Sequence, residues 1–450
     1  MVVQKFGGTS VADPDAIRRL IDIVRTARAR DGAGPAVVVS AMSKVTDTLL
    51  GIAAAAGDGR LDAAISQVDA LRTRHHDAAR ALAPDDKALP GDIDRELDGL
   101  AAVVKALAVL REVSPRTLDV IAAMGELLSS RVIAAALNTA GIPATWVDAR
   151  KAIVTDGEHT KAAPLTAETD AALAAHVRPV IDAGRVPVLG GFVAATRDGH
   201  TSTLGRGGSD YSGAIVGAGI GAAEIQIWTD VDGMLTADPR VISDAKLVPQ
   251  LSFDEAAELA YFGAKVLHPS TILPAVERNI PVRILNSRRP QGTGTVITAQ
   301  PAASSTLLTG LACKPSVTVI DITSSRMLMA YGFLRRVFEV FERYRTAVDV
   351  VTTSEVSVSV TVDDPRNLDA VVLALSEFSS VVVEPEMALL CAVGDRLQSE
   401  PAIAARAIGV LEEVPLRMIS QAASRRNITV VMRRDDLSHA MHRLHEEFFT

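Results

Sequence analysis

Two cysteines, Cys313 and Cys391, are all that 450 residues contain. This excludes a disulfide framework and a Cys-rich metal site and points to a reducing compartment, with the cytoplasm as the expected location. Positive charge is in deficit: 46 Lys and Arg against 54 Asp and Glu leave a formal net charge of −8. A large electrostatic footprint on nucleic acid or anionic lipid is therefore not expected, although local basic pockets for small anions remain open. Apolar runs of roughly 18 residues or more are missing. The Gly-rich run over 211–223 is short and closes at Glu224, so no membrane span is expected. The N-terminus, Met1-Val-Val-Gln-Lys-Phe-Gly-Gly, lacks a basic segment followed by an apolar stretch and a small-residue cleavage site, so no secretory signal is expected. What is present is ordinary globular material, 48% apolar and 22% charged, enough for about three domains.

Up to about residue 298, short β-rich windows (2–6, 36–40, 144–148, 186–190, 224–229 and 282–286) alternate with Ala-rich helical patterns (15–30, 61–80, 93–112 and 123–140). That alternation predicts an α/β fold, a mostly parallel sheet between helices, in which buried strands read as continuous apolar runs such as Val37-Val38-Val39. A Gly-, Pro-, Ser- and Thr-rich stretch over 291–305 reads as a linker. Beyond it, strand and helix windows follow the order βαββαβ and then βαββα, an internal duplication of about 70 residues per copy. The second copy lacks its last strand, and an unassigned strand window, 307–314, precedes the first. The expected domains are thus a catalytic domain over 1–298, a first repeat unit over 315–385, and a second built from 306–314 plus 386–450.

Two Gly-rich loops carry candidate anion sites. Lys5-Phe6-Gly7-Gly8-Thr9-Ser10 follows a strand and precedes a helix starting near Asp13-Pro14, so its backbone N–H groups are expected to face an anion at a helix N-terminus. Gly205-Arg206-Gly207-Gly208-Ser209-Asp210 leads into a second helical pattern: the glycines allow close backbone approach, Arg206 is a bidentate donor for carboxylate or phosphate, and Ser209 or Asp210 can cap the helix. Trp228-Thr229-Asp230-Val231-Asp232-Gly233 lies at the C-terminal end of a strand, where ligands of open α/β sheets sit. A calcium loop is discarded there, because no Glu follows at the twelfth position. Lys265, in Phe262-Gly263-Ala264-Lys265-Val266-Leu267-His268-Pro269, is a candidate phosphate partner, and His268 reads as a helix-end residue.

Taken in order and spacing, these motifs, with Ser40-Ala41-Met42, Gly125-Glu126 and Val350-Val351-Thr352-Thr353-Ser354-Glu355, resemble aspartate kinase. The resemblance covers essentially the whole chain and makes the duplicated C-terminal units ACT-like regulatory domains. It implies transfer of the ATP γ-phosphoryl group to the side-chain carboxylate of L-aspartate, giving 4-phospho-L-aspartate, the entry to the lysine, threonine and methionine pathway, with Mg2+ bridging phosphate oxygens and no dedicated metal ligands from the protein. It further implies that Lys5, with Phe6, Gly7 and Gly8, meets the transferring phosphoryl group, that Lys265 and Val266 meet the nucleotide phosphates, and that Asp210 belongs to the catalytic set. Arg206 would clamp the substrate α-carboxylate, Glu126 would receive its ammonium, and Ser40 and Thr46 would line the same pocket. Thr229, Asp230, Leu235 and Arg240 would hold the adenosine and phosphate side, Leu235 standing where many relatives carry an aromatic residue.

For the ACT-like pair, Met327, Gly332, Phe333, Leu334, Val348, Asp349, Ser354 and Glu355 match effector-binding positions of lysine-inhibited relatives, and Asp349 and Glu355 would pair the two ammonium groups of lysine. Threonine-sensing relatives use similar folds, so both effectors stay open. A homodimer through these units, or a higher homo-oligomer, is the expected assembly. A glutamate-type kinase would share the phosphate loops but not the duplication or Gly125-Glu126. A silent amino-acid sensor would be expected to have lost Lys5, Arg206 or Lys265.

Overall fold

The computed structural model of the chain describes residues 1–32, 34–264, 267–301, 307–324, 331–395, 397, 400–421 and 425–450. They form two compact units, Met1–Met234 with Leu267–Gln300, and Leu235–Val266 with Pro301–Thr450.

The first unit carries strands β1 (Val2–Phe6), β2 (Ala36–Val39), β3 (Ala144–Val147), β4 (Val154–Thr155), β5 (Val186–Gly190), β6 (Val193–Thr196), β7 (Thr201–Thr203) and β8 (Glu224–Thr229), and further on β10 (Val282–Asn286) and β11 (Thr295–Thr298). The main sheet runs β3-β5-β2-β1-β8-β10-β11, parallel up to β10 and antiparallel at β11. A small sheet, β4-β6-β7, stands apart. The helices are α1 (Pro14–Asp31), α2 (Val45–Gly57), α3 (Leu61–Leu82), α4 (Leu89–Leu110), α5 (Pro115–Ala122), α6 (Met124–Thr139), α7 (Thr166–His176), α8 (Arg178–Asp182), α9 (Gly208–Ile220) and α11 (Leu273–Glu277). Phe6, Val37 and Val39 of the strands join Leu20 and Val24 of α1 and Leu128 and Val132 of α6 in one apolar core, which explains why β2 reads as an unbroken apolar run.

The expected strands and long helices are present, with ends within a few residues; helices α2, α5, α7, α8 and α11 and strands β4, β6, β7 and β11 are additions, and β11 lies in the stretch read as a linker. The start of α5 was legible: Ser114 Oγ accepts from the Thr117 amide and Pro115 opens the helix, an ordinary N-terminal signature. Helices α5 and α6 together, Pro115–Thr139, are long and apolar enough to cross a membrane, but 89% of their most apolar window is buried within the fold. This stretch is core, which is why it carries small residues and broken apolar runs rather than a continuous hydrophobic block. The glycines of α9 also have a packing reason. A Cβ at Gly217 would lie 2.6 Å from the Ile225 side chain, and one at Gly213 would lie 3.1 Å from Lys5 Cβ, so α9 lies close on β1 and β8.

The second unit begins with β9 (Gln250–Ser252) and α10 (Phe253–Tyr261), the latter opened by a reciprocal Ser252–Glu255 capping box. It continues with β12 (Gly310–Thr323), α12 (Phe333–Arg343), β13 (Val351–Thr353), β14 (Ser357–Val362), α13 (Leu368–Ser376), β15 (Ser380–Val393), α14 (Pro401–Gly409), β16 (Met418–Ser420), β17 (Asn427–Arg433) and α15 (Leu437–Phe449). One sheet of order β13-β14-β12-β15-β17-β16 spans both repeats, every pair antiparallel. The windows 307–314 and 316–324 form a single strand, as do 380–384 and 388–393. The register shifts between Lys314 and Val317, at Pro315, which has no N–H to give the ladder. On one side of the shift Gly310–Lys314 pairs with 389–393 beside β17; on the other Val319–Thr323 pairs with 380–384, and β12 also meets β14 there. Two cores result, one around Ile320, Val337 and Val358, the other around Leu390, Val430 and Met441.

Candidate active site

Nine of the residues singled out in the sequence line one cavity of the first unit, about 220 Å³ in volume: Lys5, Ser40, Thr46, Glu126, Gly205, Gly207, Gly208, Ser209 and Asp210, joined by Phe192. This is below the ~300–1,000 Å³ of pockets for drug-sized ligands and suits an amino acid better than a nucleotide. It forms at the C-terminal ends of β1, β2 and β5, where an open α/β sheet places its ligands.

Lys5 leaves β1 on the α9 side, where the missing side chain of Gly213 makes room for it. Its Nζ meets Asp210 Oδ1 at 2.6 Å, with both side chains largely shielded from water. Asp210 therefore does not cap α9, as the sequence suggested. The cap position is Gly207, left-handed at φ 72°, with no side-chain capping bond, so the first-turn carboxylate is free to face Lys5.

The first loop also differs from expectation. A short 3-10 turn, Gly8–Val11, separates it from α1, and Asp13 caps that helix by accepting from the Ala16 amide. The Gly7 amide donates to the Trp228 carbonyl at 2.9 Å and is not available to an anion. The glycines serve close approach instead: a Cβ at Gly7 would stand 3.5 Å from Lys5 Nζ, and one at Gly8 would stand 3.3 Å from the Ala41 carbonyl. Ser10 Oγ ties the turn to the Ser287 hydroxyl at 2.7 Å.

Glu126, in the first turn of α6, is 4% exposed, and its Oε2 has no hydrogen-bond partner. Burial pushes its pKa up to about 8, against the opposing pull of the Ala41 amide, its own amide and the Lys5 charge. Gly125 and Gly190 permit this placement, since a Cβ at either would come within 3 Å of Ala41 Cβ or of the Glu126 carbonyl. Ser129 Oγ donates to the Ser40 carbonyl at 2.8 Å, fixing the loop after β2.

Arg206 is exposed between Gly205 and Gly207, both left-handed. It has no partner among the described residues and does not line the cavity. Thr229, at the end of β8, is half-buried and Asp230 is exposed. Their turn is held by Asn286, whose Nδ2 donates to Asp232 Oδ1 at 2.8 Å, and by an Arg289–Asp232 ion pair at 2.5 Å. Leu235 and Arg240 belong to the second unit, where Arg240 is exposed and pairs with Asp238. Lys265, Val266 and Met327 lie outside the described residues. Phe192 was missed in the sequence. It sits at φ 65° after Gly190-Gly191, its amide donating to Ser212 Oγ at 2.9 Å, and the glycine pair following a strand was the available signal.

In the second unit, the Asp349 side chain is almost fully buried. Its Oδ1 accepts from Lys314 Nζ at 2.6 Å and from the Tyr261 hydroxyl at 3.2 Å, while Oδ2 is unpartnered. Burial would lower the Lys314 pKa, but its hydrogen bonds to Asp349 and Asp363 outweigh this and hold it above the ordinary lysine value. Asp349 is thus not the open carboxylate expected from the sequence, since an ammonium of its own chain already engages it. Gly332 caps α12 at φ 83°, Phe333 is buried against the edge of Phe378, and Leu334 is exposed. Val348 is half-buried, Ser354 bonds the Ser357 hydroxyl at 2.7 Å, and Glu355 is exposed in the same turn.

Residues 1–286 match the model of the amino acid kinase family, and residues 390–448 match that of an ACT domain. The chain belongs to the amino acid kinase family. It is 38% identical to chloroplastic aspartokinase 3 of Arabidopsis thaliana, over 99% of this chain and 81% of the relative. It is 35% identical to the lysine-sensitive aspartokinase 3 of Escherichia coli K12, over 100% and 99%. Crystal structures of E. coli aspartokinase III, one with aspartate and ADP in the R-state and one with lysine and aspartate in the T-state, each cover both chains fully with a TM-score of 0.84. Its activity is that of an aspartate kinase with an ACT-type regulatory region, using ATP as phosphoryl donor.

Proposed function

We propose that the cavity around Lys5, Asp210 and Glu126 is where L-aspartate meets the γ-phosphoryl group of ATP. The observation that carries this is the pairing, in one amino-acid-sized space, of a buried ammonium aimed by a carboxylate with a second, unpaired buried carboxylate. Lys5, oriented by Asp210, faces the negative charge of the transferring group. Glu126 Oε2 takes the substrate ammonium, Ser40 and Thr46 line the same pocket, and Arg206 closes on the α-carboxylate. No general base is required, because a β-carboxylate of pKa ~3.9 is already ionised at neutral pH. Gly8, Thr229 and Asp230 serve the nucleotide from the first unit, whereas Phe6, buried in the core, and Gly7, whose amide is taken by the Trp228 carbonyl, do not face it. Mg2+ is taken to arrive with the nucleotide, as it commonly does with phosphates. That ion would neutralise phosphate charge when bound.

The working divisions are a catalytic domain over 1–298 and ACT-like units over 315–385 and 306–314 plus 386–450. The change of pairing partner on either side of Pro315 supports the second division. Lysine, which E. coli aspartokinase III binds alongside aspartate, is the proposed feedback effector, threonine the alternative. Met327, Gly332–Leu334, Val348, Ser354 and Glu355 are assigned to its site in a homodimer joined through these units, with Asp349 held by Lys314 rather than open to the ligand. Two unpaired cysteines suit a reducing cytoplasm, and the reaction opens the lysine, threonine and methionine route. A coupled assay with ATP and L-aspartate, repeated with lysine and with threonine, tests the whole reading. Turnover without aspartate dependence would overturn the substrate, and inhibition by threonine alone would overturn the effector.

A further inference from the structure

Asp119, on α5, is a buried carboxylate that the chemistry above does not use. Its side chain is 1% exposed, and the described residues place no lysine or arginine in ion-pair contact with it. Three donors converge on it instead: His159 Nδ1 at 2.7 Å, the Thr160 amide at 3.0 and 3.1 Å to its two oxygens, and the Thr203 hydroxyl at 2.5 Å. A carboxylate withdrawn from water is costly and is tolerated where hydrogen bonds satisfy it. The three donors come from two segments that meet at the base of the second Gly-rich loop. Thr203 ends β7 and is one residue from Leu204-Gly205-Arg206. Thr160 is left-handed at φ 72°, an unusual state for a β-branched residue, and its carbonyl stands 3.2 Å from where a Cβ of Gly205 would be. The Ala162 amide closes the junction on the Thr203 carbonyl at 2.9 Å.

We propose that Asp119 is a positioning residue of the aspartate subsite. Through Thr203 and Thr160 it fixes the root of the Gly205–Asp210 loop, and so sets the reach of Arg206 toward the substrate carboxylate and the placement of Asp210 against Lys5. The inference rests on the reading of Arg206 as the substrate clamp. An apolar pair at 119 and 203 would satisfy packing alone. What the charge adds is direction, since it orients a hydroxyl and an amide whose backbones lead into the loop.

Steady-state kinetics on Thr203→Val, Thr203→Ser, Asp119→Asn and Arg206→Ala test it. Thr203→Val keeps the shape and removes the donor. It is expected to raise KM for aspartate about tenfold, the order carried by one hydrogen bond to a charged group, with KM for ATP within about twofold. Thr203→Ser, which keeps the hydroxyl, is expected to stay near wild type, and Thr203→Val is expected to add nothing on an Arg206→Ala background. A lowered Tm with both KM values unchanged, or an equal rise in both, would overturn the proposal. Should Asp119→Asn fail to fold, the two Thr203 variants decide the matter. An unchanged aspartate KM in Arg206→Ala overturns the clamp and this proposal with it. A raised KM there, with none in Thr203→Val, overturns only the part given to Asp119.

Discussion

Glu126 should release a proton when aspartate binds. Its pKa is pushed up to about 8 by burial, so at pH 7 about 0.9 of the molecules carry the proton in the empty site. An ammonium against the unpartnered Oε2 favours the ionised form, and the proton must leave. The linked cost is about 1.4 kcal/mol for each pH unit below 8. Aspartate affinity should therefore rise about tenfold from pH 6 to pH 7 and level off above pH 8. Calorimetry at pH 7, in two buffers of different ionisation enthalpy and with a non-hydrolysable nucleotide present, reads the release directly; about 0.9 proton is expected, and none for Glu126→Gln. The empty enzyme offers a second reading. Because the folded pKa is raised above the ordinary 4.5, the stabilisation from protonated Glu126 is fully present below pH 4.5 and is lost as pH rises through 8. Its upper bound is roughly 5 kcal/mol, and Glu126→Gln should remove that part of the pH dependence. A binding enthalpy independent of buffer would refute the reasoning, since no proton would then be exchanged.

Three further outcomes are expected. Lys5→Ala should lower kcat on the order of 10²-fold or more, because an ammonium aimed at charge on the transferring group acts mainly in the transition state; a change confined to KM for ATP would contradict that role. Gly217→Val should lower stability by about 1–3 kcal/mol, seen as a lower Tm, because its Cβ would meet Ile225 at 2.6 Å, and an unchanged Tm would mean that α9 does not lie so close on β8. Glu355→Ala should leave uninhibited turnover near wild type and move the lysine inhibition curve about 5–150-fold to higher concentration; an unmoved curve would take Glu355 out of the effector site.

The charge of the cavity bears on the Glu126 and Lys5 predictions. On the proposed reading two anions meet there, and in a shielded site each fixed charge acts far more strongly than it does in water. Lys5 supplies a cation whose direction Asp210 fixes at 2.6 Å. Glu126, kept neutral until an ammonium enters, adds no negative charge to the empty site that would repel either substrate. The same shielding makes the carboxylate selective, because a ligand without an ammonium leaves Oε2 unpaired.

Much of this was written along the chain. Continuous valine runs and Ala-rich periods marked strands and helices because burial on both faces of a parallel sheet leaves no polar alternation, and Lys5, Gly7, Gly8 and Gly205 through Asp210 stood out because close backbone approach needs glycine. Helix α2 escaped notice, since a short Ala-rich window such as Val45–Gly57 carries weak periodicity. The joining of strands across the two repeats also escaped, because a bulge at Pro315 looks like a chain break in one dimension. Tertiary structure alone decided the charge states and partnerships. Burial, which no local pattern encodes, raises Glu126. Asp210 faces Lys5 rather than its own helix N-terminus because β1 and α9 meet at Gly213. Asp349 is engaged by Lys314 from a neighbouring strand. Asp119 gathers donors 40, 41 and 84 residues away, a meeting that exists only once α5 and β7 have packed.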